Sequence, residues 1–185
     1  LWRKTTGDVQ NEIRREVGNE KTRVAAIGLA GENLVKYASV ISDLYCAAGR
    51  CGMGAVMGSK RLKAIAVRGT ETVSIADEKT FRSLLKTARD EAMAGWGEEF
   101  FKYGTAGGLA GLDSSGRLPT KSFLKCTFHG ADKITGETLS RTIMKRQATC
   151  PACPDAHYRI VETRGRYATD PNYGGPEYET CASFG

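Results

Sequence analysis

Four glycines fall in the fifteen residues Cys46-Ala-Ala-Gly-Arg-Cys-Gly-Met-Gly-Ala-Val-Met-Gly-Ser-Lys60. Glycine stands where the backbone must take φ > 0 or let another group approach closely. Gly49, Gly52, Gly54 and Gly58 leave backbone N–H groups uncovered, and Arg50 and Lys60 add positive charge. One reading is a cradle for an anionic group carried by a cofactor, as other glycine-rich phosphate loops provide. The other is a tight strand-to-helix turn whose glycines serve packing alone. Taken alone, the loop leaves both readings open.

The flanking sequence frames the loop with regular elements. Thr5 to Val17 reads as an amphipathic helix with Thr6 as N-cap, Val9, Ile13 and Val17 on one stripe, and Gly18 as the stop. Arg23 to Gly28 is a short apolar run expected to form a buried strand, and Gly28-Leu-Ala-Gly-Glu-Asn33 a turn. Lys36 to Tyr45 leans towards strand, and Leu62 to Val67 reads as a further strand after the loop. Glu71 to Asp77 reads as a linker. Asp77 then caps a helix through about Met93 with Phe81, Leu84, Leu85 and Ala88 as its apolar face. Gly95 to Gly116 is expected to hold short helix broken by turns, and Gly130 to Ala148 a second helix with Ile134, Leu139, Ile143 and Met144 inward. The predicted fold class is therefore α+β: a β-rich domain over 1–72, then a mainly helical domain over 73–185.

Composition narrows the function classes. A formal charge of +6 is scattered among acids instead of clustered with aromatics, which argues against a nucleic-acid surface. No apolar run is long enough to span a bilayer and no secretory pattern appears, so the expectation is a cytoplasmic protein without a membrane span. Six cysteines are too few for a disulfide scaffold of this length and read better as reduced thiols, some of them metal ligands. The opening Leu-Trp-Arg-Lys and the ending Cys-Ala-Ser-Phe-Gly suggest an internal fragment of a longer protein, inactive alone.

Two further stretches carry chemistry. In Cys150-Pro-Ala-Cys153-Pro-Asp-Ala-His157 two thiolates from one turn can bind one metal or cluster, and the prolines stiffen the loop. Zinc accepts such donors, which leaves a non-enzymatic zinc-binding module as one reading; an iron–sulfur cluster, which takes about four ligands, is the other. In Gly174-Gly-Pro-Glu-Tyr-Glu-Thr-Cys181, Glu177 or Glu179 could serve as general acid or base if buried, or could simply open an exposed helix. His129 and Cys126 sit in a polar loop without an assigned role.

Read together and in order, these pieces resemble one family. Val24-Ala-Ala-Ile-Gly-Leu-Ala-Gly-Glu-Asn33, the loop Ala47 to Lys60, Leu62 to Gly69, Leu118-Pro-Thr-Lys-Ser-Phe123, the Cys-x-x-Cys run and Gly175-Pro-Glu-Tyr-Glu-Thr180 are similar to the tungsten-dependent aldehyde:ferredoxin oxidoreductases. The resemblance implies tungsten or molybdenum held by two pterins (a bis-molybdopterin, here tungstopterin) and a nearby 4Fe–4S cluster. It implies oxidation of a small aldehyde to a carboxylic acid, with electrons passed to ferredoxin or another electron-transfer subunit, in a homodimeric parent protein. By position it assigns Ala47, Gly49 and Arg50 to the pterin, Cys150, Cys153 and His157 to the cluster, and Glu177 to proton handling at the metal.

Three positions depart from the family pattern. Cys46 stands where an arginine is usual, which removes one positive contact to the pterin. His157 stands at the third cluster ligand, where cysteine is usual; histidine also ligates iron, with a higher reduction potential. Cys181 follows Glu177 by four residues, in a region where class II benzoyl-CoA reductase places a cysteine on its metal. A benzoyl-CoA reductase-like active-site subunit is thus the alternative.

Overall fold

Helix α1 (Thr6–Val17) begins one residue earlier than its expected cap: the Thr5 hydroxyl, not that of Thr6, accepts the Asp8 N–H at 3.2 Å. Gly18 ends it at φ 69, a left-handed conformation that glycine takes without a Cβ penalty. The structure is a computed structural model and describes residues 1–183, the side chain of Trp96 excepted. The chain divides into two units, one over Leu1–Val73 and one from Ser74 onward.

In the first unit Val9 and Ile13, one helical turn apart, bury against Val24 and Ala26 of strand β1 (Arg23–Ile27), with Ala64 packed alongside. Val17, expected on the same stripe, is 53% exposed, because the helix runs past the end of this small core. Strand β1 lies between β2 (Val40–Ser42) and β4 (Ala64–Val67), antiparallel to both, and β3 (Cys46–Ala48) completes the order β3-β2-β1-β4. The expected turn after Gly28 winds into the one-turn helix α2 (Leu29–Glu32). Only Val40–Ser42 of the leaning strand over 36–45 is extended, since Val35 and Ala38 close a turn before it. The glycine loop spans the end of β3 and helix α3 (Met53–Ser59).

The second unit starts with α4 (Glu78–Met93), where the Asp77 carboxylate accepts the Thr80 N–H at 3.0 Å, as its sequence position predicts. Its apolar stripe does not enter this unit's core: Phe81, Leu84 and Leu85 are 46%, 63% and 57% exposed. Helix α5 (Trp96–Tyr103), a 3-10 turn (Thr105–Gly108) and α6 (Leu109–Ser114) follow. The helix expected over 130–148 is much shorter. Thr135 caps α7 (Gly136–Thr142), and Met144–Ala148 leaves the helix as strand β5. β5 pairs antiparallel with β6 (Tyr158–Val161), with a register shift between Met144 and Arg146, and Lys145 reaches Glu162 at 2.7 Å. Pairing to a β-branched partner strand overrides the helical pattern of Met-Lys-Arg-Gln-Ala, as tertiary context commonly does. Helix α8 (Tyr178–Ala182) closes a core of Ala106, Leu109, Leu118, Leu139, Val161 and Cys181. Ile134, Ile143 and Met144 pack against that core, as expected, although Met144 does so from a strand.

Candidate functional site

The glycine loop divides into two parts. A Cβ on Gly52 would lie 2.0 Å from the Lys36 carbonyl oxygen, one on Gly54 2.6 Å from that of Ser39, and one on Gly58 1.9 Å from that of Gly31. Those three glycines let α3 lie directly on α2 and on the chain before β2, and Gly52 also takes a left-handed φ of 65 at the start of α3, so local structure accounts for all three. Gly49 differs, because nothing lies within 4 Å of the place its Cβ would take. Ala47, Gly49 and Arg50 are all exposed, and Arg50 makes no ion pair among the described residues. The unexplained glycine and the uncommitted guanidinium are neighbours. Their chemistry fits the anionic edge of a pterin, which open backbone and a free arginine can approach.

Beneath this loop α2 is fixed by a buried ion pair. Lys63 at the entry to β4 donates to Glu32 on α2, with side-chain exposures of 7% and 6%, and also to the Lys4 carbonyl at 3.0 Å. Burial alone would raise the Glu32 carboxyl, but Lys63 and the Arg3 N–H outweigh it and hold it below its ordinary value.

In the second unit the Cys-x-x-Cys run is the tip of the β5–β6 hairpin. Ala148 and Tyr158 form the last ladder pair, and the Cys153 N–H turns back on the Cys150 carbonyl at 3.1 Å. The Thr149 hydroxyl reaches the Cys150 and Cys153 carbonyls at 3.1 and 2.8 Å, while Ala152 and Ala156 take positive φ of 61° and 43°. Such conformations cost energy in alanine and persist where the surroundings fix them. The Cys150 thiol meets the Tyr158 hydroxyl at 3.5 Å. His157 turns its ring onto Tyr158, 4.4 Å between centroids, with the edge of Phe100 at 6.5 Å. Among the described residues no three His, Cys, Asp or Glu side chains converge as a metal-holding group. The hairpin thus brings two thiols onto one turn, and their donor chemistry fits iron; His157 is on the same loop but not gathered with them. A cleft of about 890 Å³ opens beside Cys153, walled by Leu85, Ala92, Phe101, Ala152 and Pro154.

Glu177 is partly buried and stands at the N-cap of α8, yet its carboxylate makes no capping bond to its own helix. It accepts instead from the Thr105 hydroxyl. Two glycines make this meeting possible. Gly104 (φ 65) and Gly175 both press on β6, where a Cβ would fall 2.6 Å from the His157 carbonyl oxygen and 1.9 Å from that of Arg159, respectively. Arg159, between them, is 2% exposed and spends its guanidinium on the carbonyls of Phe100, Phe101 and Ala156 at 2.8, 2.6 and 3.1 Å. Its Nε has no hydrogen-bond partner among the described residues. Burial pulls the Arg159 guanidinium below its ordinary value, and the Glu177 charge opposes that. On the core side, burial and then the Glu177 charge push the Cys181 thiol up to about 11, so it is protonated at neutral pH. Glu179, the other carboxylate of the motif, is exposed, as are His129 and Cys126. Sequence reading passed over Thr105 and Arg159. The run Gly104-Thr-Ala-Gly-Gly108 was the available signal for Thr105, and Arg159 in Tyr-Arg-Ile-Val looks like a surface strand residue.

Residues 1–69 match the aldehyde ferredoxin oxidoreductase N-terminal domain, and residues 82–185 match domains 2 and 3 of the same family. The chain belongs to the aldehyde ferredoxin oxidoreductase family. It is 41% identical to the tungsten-containing aldehyde ferredoxin oxidoreductase of Pyrococcus furiosus and 39% identical to that of Thermococcus kodakarensis. Both alignments cover all of this chain and 30% of the relative, so the chain spans under a third of those proteins' length. Among solved structures, the active site complex BamBC of benzoyl coenzyme A reductase with 1,5-dienoyl-CoA superposes with a TM-score of 0.58 at 26% identity. That likeness covers 88% of this chain and 27% of the other. As an aldehyde ferredoxin oxidoreductase family member the chain has the α+β architecture read from its sequence, β-sheet first and helix-rich after. No helix among the described residues is long and apolar enough to cross a membrane.

Proposed function

We propose that this chain is part of a tungsten (or molybdenum) bis-pterin oxidoreductase that oxidises aldehydes to carboxylic acids and passes the electrons through a 4Fe–4S cluster to ferredoxin. The observation that carries the reading is the match of both halves of the chain, in order, to one family whose close relatives are named as tungsten-containing aldehyde ferredoxin oxidoreductases. The net reaction is R–CHO + H2O → R–COOH + 2H⁺ + 2e⁻. The metal centre, when bound, supplies the two-electron acceptor.

The chain's own residues do the rest. Arg50 and the open backbone at Ala47 and Gly49 would hold and orient the pterin in the first unit. Cys150 and Cys153 would hold the cluster as thiolate ligands, and His157, on the same loop, would be the third donor. Glu177 takes a proton as water adds to the aldehyde carbon, a role suited to a partly buried carboxylate within reach of one hydroxyl donor. The domain reading that goes with this places the end of the pterin-binding domain in 1–72 and the start of the cluster-bearing domain in 73–185. A homodimeric, cytoplasmic parent protein belongs to the same proposal.

A second reading has its own observation. The superposition on benzoyl coenzyme A reductase and the position of Cys181 both suit a reductase of an aromatic thioester. The two are separated by offering the anaerobically purified complete protein an aldehyde or a dienoyl-CoA with a viologen dye. Aldehyde-dependent dye reduction supports the first reading, and dienoyl-CoA-dependent reduction alone supports the second. A colourless protein with stoichiometric zinc and no sulfide overturns both in favour of a zinc module.

A further inference from the structure

Among the described residues, the α-helices whose N-cap is not glycine follow one rule that Glu177 breaks. Thr5, Asp77 and Thr135 each turn a side-chain oxygen back to the N–H three residues on, at Asp8, Thr80 and Thr138. Glu177 holds the same extended cap conformation, φ −88 and ψ 172, but directs its carboxylate elsewhere. The first N–H of α8 is not abandoned: Tyr178 N–H donates to Thr105 Oγ1 at 3.0 Å, across 73 residues of sequence.

The Thr105 hydroxyl serves both neighbours. Its oxygen accepts from Tyr178, so its single hydrogen is available for one acceptor, and the Glu177 Oε2 is in contact. One threonine thereby satisfies the first N–H of α8 from outside and reaches the cap acid with the same hydroxyl. Nothing in the packing of α8 requires an acid at position 177, since an N-cap without a capping bond gains little from its side chain. The arrangement makes sense if the carboxylate must be kept available in one orientation.

We propose that Thr105 is the positioning residue for Glu177, holding its carboxylate by O–H donation while its oxygen accepts the first N–H of α8. The proposal rests on the reading of Glu177 as the proton-handling group. Gly104 sets the approach: any side chain there meets the His157 carbonyl, so the loop carrying Thr105 lies directly on β6. Arg159 is buried behind the same two glycines, with its guanidinium on the carbonyls of Phe100, Phe101 and Ala156.

The test uses the complete, cofactor-loaded protein and four variants: Thr105→Val, Thr105→Ser, Glu177→Gln and Thr105→Val with Glu177→Gln. Valine keeps the shape and removes the hydroxyl; serine keeps the hydroxyl. Loss of a hydrogen bond to a charged group predicts a fall in kcat of about 10- to 100-fold in Thr105→Val. KM should stay within about twofold, and Thr105→Ser should recover kcat to within about threefold. In the Glu177→Gln background Thr105→Val should have no further effect on kcat, because residues acting as one unit are not additive. Independently of turnover, hydrogen exchange at the Tyr178 amide should quicken by about tenfold or more in Thr105→Val and not in Thr105→Ser. Equal losses of kcat in both backgrounds, or unchanged Tyr178 exchange in Thr105→Val, overturn the positioning role. Full activity of Glu177→Gln would instead sink the assignment of Glu177, and is seen separately.

Discussion

A Cβ placed on Gly58 would lie 1.9 Å from the Gly31 carbonyl oxygen, closer than any side-chain carbon can stand to a backbone atom. This contact, helix against helix, decides the meaning of the loop that dominates the sequence. Three of its four glycines are explained by packing, and the fourth, Gly49, is open. Gly58→Ala should therefore destabilise the protein by about 3 kcal/mol or more, while Gly49→Ala should stay within about 0.5 kcal/mol of the parent. Chemical denaturation followed by circular dichroism measures both. Equal effects would remove the distinction.

The buried Glu32–Lys63 pair predicts a pH dependence. The folded carboxyl lies below its ordinary value of 4.5, so its contribution is fully present above that pH and is lost as pH falls through the lower folded value. Glu32→Gln leaves the Lys63 ammonium without its carboxylate and should cost about 3 kcal/mol at pH 7. The difference between variant and parent should narrow as pH drops below about 4.5. Unfolding measured at several pH values checks this, and a constant difference down to acid pH would count against the pair.

Cys181 and the exposed cysteines should part company in alkylation. The Cys181 thiol, pushed up to about 11 by burial and the Glu177 charge, is almost wholly protonated at pH 8 and is shielded from solvent. Brief treatment of the folded protein with iodoacetamide at pH 8 should label Cys51 and Cys126, which are exposed, and spare Cys181. Peptide mass spectrometry reads the result. Labelling of Cys181 at a rate like that of Cys126 would contradict its buried, protonated state.

His157→Cys tests the third cluster donor. Histidine ligation raises a cluster's potential relative to cysteine, so the variant of the complete protein should retain iron and sulfide and titrate on the order of 100 mV lower. Retention of the cluster at an unchanged potential would show that His157 only packs on Tyr158.

Local signals in the sequence were good guides where a single element decides its own form. Asp77 before a periodic run gave α4 its start, and Val9 with Ile13 against Val24 gave the first core. The guides failed where a distant partner decides. Met144–Ala148 carries a helical pattern until Tyr158–Val161 pairs with it, and the α4 stripe of Phe81, Leu84 and Leu85 stays about half exposed among the described residues. The site shows the same division. Cys150 and Cys153 announce themselves by spacing, and Arg50 by its glycine neighbours. Thr105 reaches Glu177 from 72 residues away and Arg159 hides a charge inside a strand, and spacing along the chain reports neither.

The proposal is that the complete protein is a tungstopterin and iron–sulfur enzyme that uses Arg50, Cys150, Cys153 and Glu177. The most direct measurement is metal and sulfide analysis of the complete protein purified without oxygen, with aldehyde-dependent dye reduction on the same sample. The account predicts a brown protein holding tungsten or molybdenum, about four irons and about four sulfides per chain, active with an aldehyde. Colourless, metal-free or zinc-only full-length protein without such activity would contradict it.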